Sequence, residues 1–166
     1  MRLSGLLASA AMASVIGVIA APTAAGYANL YDGVPIGGCA SRDVASNTGG
    51  PADCNSTAAK YRLIEQYQLT ADTQDQRCGP QATLSYHHRT DDGYRLALYC
   101  FTYNMTPGSC WNFSEDSNPE RLECGAHLPG AERITEVIDG VADANRCGTT
   151  AIVYPRLGFT VCVVPD

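Results

Sequence analysis

Two adjacent histidines, His87 and His88, are the side chains in this 166-residue sequence that most invite a catalytic reading. An imidazole titrates near neutrality and serves as a general base. Ser85, or the pair Asp91–Asp92, would then complete a nucleophile–base–orienter set. The spacing argues against that chemistry. Neighbouring residues on a strand point to opposite faces, so His87 and His88 do not line one site. The segment reads better as a hairpin whose tip offers Tyr86, His87, His88 and Tyr94 as a recognition surface.

The other chemistry-bearing residues resolve in the same direction. His127 sits beside Pro129–Gly130 with no partner in sequence and reads as a solvated loop residue. Glu115, Asp116, Glu120 and Glu123 supply carboxylates for a glycosidase pair, but such a pair needs a cleft and a raised acid pKa. They read as an acidic loop. Asp91–Asp92–Gly93 lacks the further oxygen ligands and closing Glu of a calcium loop. It reads as a turn. Trp111 and Phe113 follow Cys110, while Tyr99, Phe101 and Tyr103 precede it. These aromatics read first as packing between two halves of the chain and second as an exposed patch for carbohydrate or protein. Asn55–Ser56–Thr57, Asn104–Met105–Thr106 and Asn112–Phe113–Ser114 fit the N-glycosylation pattern by chance. No catalytic residue, metal ligand set or cofactor motif emerges.

Eight cysteines remain: 39, 54, 78, 100, 110, 124, 147 and 162. There is no Cys-x-x-Cys pair, and structural zinc sites want closely spaced ligand pairs. An even count in an exported chain reads as disulfides. The cysteines form two quartets. The residues between them number 14, 23 and 21, then 13, 22 and 14. Flanking residues follow the same order. Gly37–Gly38–Cys39 answers Gly108–Ser109–Cys110, and Arg62–Leu63–Ile64–Glu65 answers Arg133–Ile134–Thr135–Glu136. Arg77–Cys78–Gly79 answers Arg146–Cys147–Gly148. A duplicated module is the economical explanation, with copies at 37–103 and 108–166.

The elements that must position these residues follow from local pattern. Ala82–Arg89 and Tyr94–Phe101 form strands around a Thr90–Asp91–Asp92–Gly93 turn, a strong hairpin signal. Thr149–Tyr154 and Phe159–Val164 make the shorter counterpart through Pro155–Gly158, which accounts for the one unequal gap. A strand at Tyr61–Tyr67 or Glu132–Ile138 precedes a short helical turn at 71–77 or 140–146, with Thr70 and Asp139 as N-caps. Polar loops are expected at Ser46–Pro51 and Asp116–Pro119. The expected fold is α+β and β-rich: two tandem stapled modules, each a small antiparallel sheet with one short helix. The linker Tyr103–Pro107 is too short to let the modules separate far. A local, repeated pairing joins Cys39–Cys54, Cys78–Cys100, Cys110–Cys124 and Cys147–Cys162. Pairing first with fourth and second with third satisfies the count equally.

The N-terminus sets the compartment. Arg2 precedes an uncharged apolar run from Leu6 to Ala20, and Thr23–Ala24–Ala25 fits a small-x-small cleavage site. Residues 1–25 therefore read as a signal peptide, with Ala28 as the alternative cleavage point. The run is short of the roughly 20 residues needed to span a bilayer, and no later segment is longer, so no transmembrane segment is expected in the mature chain. Ile36–Gly37–Gly38–Cys39 loosely matches a lipobox, but it lies far beyond the apolar run. Beyond residue 25, seventeen acidic residues face ten Lys and Arg, a net charge near −7. Phosphate neutralisation requires clustered cations, so nucleic acid is excluded as a partner.

The order Gly-x-Cys, polar loop, Cys, strand, Cys, aromatic-Cys-apolar resembles the LppU-type family of actinobacterial exported proteins and the related septum-formation modules. It is carried by Gly37–Gly38–Cys39, Cys54 with Ala59 and Tyr61, Cys78 and Leu98–Tyr99–Cys100. In the second half it is carried by Cys110–Trp111, Cys124, Cys147 and Val161–Cys162–Val163. The resemblance implies a secreted or envelope-associated protein of small β-rich modules and brings no catalytic residues with it. The expected function is a non-enzymatic binding or interaction protein with a protein or envelope ligand still unknown. A secreted inhibitor of another enzyme and a small hydrolase with a site between the modules are the alternatives.

Overall fold

A computed structural model describes residues 29–43, 46, 48–114 and 118–166. The leader assigned to 1–25 lies outside the described residues, as do Glu115 and Asp116 of the acidic loop. Among the described residues, ten strands form two five-stranded sheets in which neighbouring strands are antiparallel. In the first, β1 (Cys39–Asp43), β2 (Thr48–Ala52), β3 (Tyr61–Gln68), β4 (Leu84–Arg89) and β5 (Arg95–Tyr103) lie in the order β2-β1-β3-β5-β4. In the second, β6 (Cys110–Asn112), β7 (Glu120–Leu122), β8 (Ala131–Asp139), β9 (Thr150–Tyr154) and β10 (Phe159–Pro165) lie in the order β7-β6-β8-β10-β9.

The expected helices are not present. Each shrinks to a three-residue 3-10 turn, Ala71–Thr73 and Ala144–Arg146, so the described residues are β-rich without the one short helix per module that an α+β fold would have. A helix needs several turns to offset its nucleation cost. Here the chain must reach a disulfide within a few residues of the turn, leaving no room to propagate. Thr70 does cap the first turn, reciprocally with Thr73. The second is capped by Asp143, which accepts from the Asn145 amide, rather than by Asp139.

One strand arises inside an expected polar loop and another directly after one. β2 includes Thr48–Gly49–Gly50–Pro51 and pairs only with β1. An edge strand tolerates a proline, whose missing N–H faces away from the ladder. Gly49 is required by packing: a Cβ there would lie 2.6 Å from the Ser41 carbonyl oxygen and 2.7 Å from the Tyr31 hydroxyl. β7 begins just after Pro119 and pairs with β6.

The four disulfides are Cys39–Cys54, Cys78–Cys100, Cys110–Cys124 and Cys147–Cys162. The first and third tie the start of β1 and β6 to the segment after β2 and β7. The second and fourth pin the crossover carrying the 3-10 turn onto β5 and β10. That crossover covers a face of the first sheet, where Leu69, Leu98 and Cys100 are buried. The opposite face holds the larger core: Tyr31, Val34, Ala40, Tyr61, Leu63, Ala97, Tyr99 and Phe101. This core begins upstream of Gly37, since Tyr31 is 1% exposed and packs on Tyr86, Tyr99 and Phe101. In the second sheet, Trp111 occupies the position after the cysteine that Ala40 holds in the first, and Ile134, Val161 and Val163 surround it. Burying side chains of this size supplies about 1.5–3 kcal/mol each, before entropy is charged against it.

Tyr103 joins the two cores. It ends β5, stacks on Tyr61 and meets Trp111 and Tyr154 of the second sheet. The first two residues of the linker that follows are buried, Asn104 1% and Met105 8% exposed, while Pro107 is exposed. Asn104 and Met105 therefore act as core rather than as a tether.

Candidate functional site

The junction is built by polar residues as well as apolar ones. Asn104 donates through Nδ2 to the carbonyl oxygens of Cys54 (2.9 Å) and Ala59 (3.0 Å). Its Oδ1 accepts from Arg62 Nη2 at 2.8 Å and Nε at 3.3 Å. Arg121, reaching over from β7, donates through Nη1 to the same two carbonyls at 2.8 and 2.9 Å. Desolvation holds the Arg121 pKa below its ordinary value, with Arg62 adding repulsion. The second sheet carries a comparable clasp. Asp166 follows β10 as Asn104 follows β5, and accepts from Arg133 Nη2 at 2.8 Å and from the Gly125 amide. The hydrogen bond from Arg133, helped by that from Gly125, lowers the Asp166 pKa.

Beside the Arg121 clasp runs an open groove of about 930 Å³. One wall comes from β1 and β2 with the segment after Cys54, including Ser41, Thr48 and Lys60. The other comes from Asn112, Ser114, Asn118 and Glu120 around β6 and β7. Lys60 Nζ donates to Asn118 Oδ1 at 2.6 Å across the groove and lies 5.7 Å from the Tyr61 ring centroid, a cation–π distance. Burial pushes the Tyr61 phenol up to about 12, aided by Tyr103, so it remains a neutral group at physiological pH. Hydroxyls, amides and charges of both signs line this groove, a set suited to ligands rich in hydroxyl and amide groups.

The residues offered for recognition, at the β4–β5 hairpin and at Trp111 and Phe113, do not form a common surface. Trp111 is 0% exposed, so it cannot present a face to a ligand; its indole Nε1 donates to Ser109 Oγ, and Phe113 stacks beside it. Of the two readings of these aromatics, the buried Trp111 fits packing between the halves, through its edge contact with Tyr103, and not the exposed patch. The physical reason is that the position after Cys110 points into the second core. On β4 the side chains alternate. Tyr86 turns toward Tyr31 and Tyr99, whereas His87 sits opposite Leu98 on the disulfide-covered side. His88 pairs in register with Ala97, and its Nδ1 is enclosed without a hydrogen-bond partner. Tyr94, 39% exposed, stands at the hairpin tip, where Thr90 bonds both Asp92 and the Tyr94 carbonyl.

Cys110, Cys124 and Asp166 offer atoms within 4.8 Å of one another. Both sulfurs are spent on the disulfide, which leaves one carboxylate and no thiolate to ligate a metal. Sequence reasoning had no access to the groove. Lys60, Asn118 and Arg121 stand in segments of unremarkable pattern, and only the matching offset of β2 and β7 hints that they meet. No protein-family model, no curated protein and no solved structure matches this chain.

Proposed function

We propose that this is an exported, non-enzymatic binding protein that takes a polar, saccharide-like ligand of the cell envelope or extracellular space in the groove between its two sheets. The observation that carries the proposal is the groove itself: both walls are polar, each comes from a different sheet, and Arg121, Asn104 and the Lys60–Asn118 bond hold the walls in register. A preorganised site loses little entropy on binding. Four disulfides suit an oxidising compartment, and no described helix is long and apolar enough to cross a membrane. The disulfides support export, as does the leader-like sequence at 1–25.

Duplication of one four-cysteine module is part of the same reading. Supporting it are the shared strand order and a bulge at Ile64 and at Thr135, each opposite the last cysteine of its quartet. Turns ending in Gly37 and Gly108 also match, both at φ 86°, with amides bonded at 2.8 Å to Leu63 and Ile134 respectively. The LppU-type resemblance points to the same envelope setting.

The test is binding of the oxidised chain to soluble envelope polysaccharide fragments by isothermal titration. Ser114 is exposed on the groove rim, so Ser114→Trp fills the groove without touching a core. Saturable binding that weakens roughly tenfold or more in this variant supports the proposal, a difference of about 1.4 kcal/mol. Binding that Ser114→Trp leaves unchanged removes the groove from consideration.

A further inference from the structure

On the disulfide-covered side of the first sheet lies a second groove, of about 480 Å³, whose lining includes Arg77, Arg95, Arg156, His87 and Ser85. It contains no aspartate or glutamate. Among the described residues, none of the three arginines forms an ion pair with a carboxylate. The nearest carboxylate shown is that of Glu65, on β3: it is not part of the lining but stands behind it, accepting at 3.1 Å from the amide of Gly79, a lining residue, and it pairs with none of the three arginines.

Three different parts of the chain bring these cations together. Arg77 precedes Cys78 and is anchored through the Cys78–Cys100 disulfide. Arg95 opens β5, and the Gln74 side chain clamps its backbone at both ends, accepting from its amide (3.2 Å) and donating to its carbonyl (2.9 Å). Arg156 comes from the β9–β10 turn of the second sheet. The Arg95 guanidinium lies 3.1 Å from His87 Nε2. A guanidinium can only donate, so Nε2 is the acceptor and His87 is the neutral tautomer protonated at Nδ1. Burial, then Arg95 and Arg89, keep the His87 pKa low, in agreement with that geometry.

Gathering like charges without a counter-charge is unfavourable, and a site so built attracts an anion. The chain's net negative charge limits what kind. A long polyanion would be repelled by the surrounding surface, whereas one compact oxyanion would meet only the local cations. We propose that Arg77, Arg95 and Arg156, with the Ser85 hydroxyl, bind a single phosphate or sulfate group carried on a small or otherwise neutral ligand. Arginine presents paired donors that match such oxyanions. Gln74 is a positioning residue for Arg95. This site is separate from the polar groove between the sheets and does not depend on it.

The experiment is an NMR titration of the oxidised, isotope-labelled chain with three probes: inorganic phosphate, inorganic sulfate and glucose 6-phosphate, with glucose as the uncharged control. Saturable shifts are expected at Arg77, Ser85, His87, Arg95 and Arg156. The phosphate and sulfate arms separate the two oxyanions, and glucose should be silent. Arg156→Gln and Arg77→Gln lie at exposed positions and should each weaken binding about five- to tenfold. Arg146→Gln, an exposed arginine on the second 3-10 turn, makes the same charge change outside the groove and should leave affinity unchanged. Non-saturating shifts, shifts spread over the whole surface, or equal losses from Arg146→Gln and Arg156→Gln would each overturn the site. Ser114→Trp should not alter phosphate binding, so failure here and failure of the inter-sheet groove are told apart.

Discussion

The double claim on two carbonyl oxygens makes a quantitative prediction about how the sheets are held together. Cys54 and Ala59 each present a carbonyl that accepts from both Asn104 and Arg121. Arg121→Ala alone leaves both carbonyls served by Asn104, so it should cost about 1 kcal/mol, the net worth of a partly exposed hydrogen bond. Asn104→Ala also removes the acceptor for Arg62, and Asn104 is 1% exposed, so about 2–4 kcal/mol is expected. The double variant orphans the carbonyls. Ala59 is 0% exposed, and an unsatisfied buried group costs about 1–3 kcal/mol beyond the bonds themselves. The double variant should therefore be less stable than additivity predicts by about 1–3 kcal/mol. Urea unfolding under non-reducing conditions measures this directly, with fluorescence from Trp111, the only tryptophan, as the probe. Additivity within about 0.5 kcal/mol would mean that the two side chains do not share these carbonyls, and the structural account of the junction would be wrong.

Other perturbations probe separate links. Gly49→Ala should destabilise by about 1–3 kcal/mol because its Cβ meets Ser41 O and the Tyr31 hydroxyl, read as a lower urea midpoint with unchanged slope. Replacing Cys147 and Cys162 by serine opens a 15-residue separation and should cost about 3 kcal/mol in the chain-entropy model, seen in thermal unfolding. Asp166 should make the protein acid-sensitive. Its folded pKa is depressed below 3.8, chiefly by the Arg133 hydrogen bond, so its contribution is complete above that value and is lost as pH falls through the folded pKa. Asp166→Asn should accordingly be less stable than the parent near neutrality, and the two should converge at the acid end; a gap that stays constant with pH would refute the assignment.

The sequence by itself determined what depends on short-range chemistry. Cysteine spacing carried the two quartets, and Asp92–Gly93 between alternating apolar residues marked the β4–β5 hairpin because that turn type demands a residue at positive φ. The alternation on β4 also kept His87 and His88 from being joined into one catalytic site, and the structure turns them to different neighbours. The helical turns were overread, since a capped polar stretch looks alike whether it propagates or stops after three residues. β2 was missed because Gly–Gly–Pro has no strand propensity; it pairs because β1 offers an open edge and Gly49 lets Tyr31 approach.

Tertiary structure alone decided where side chains from distant segments meet. Trp111 could have faced solvent or core, and only the register of β6 on β8 turned it inward. Asn104 resembles any linker asparagine until it is seen to close the loop after Cys54. Arg77, Arg95 and Arg156 are separated by up to 79 positions in the chain, yet they line one groove. Local pattern encodes the period of a strand and the stop of a turn. Convergence of charge is a property of how the strands and crossovers pack, and it has no signature in spacing.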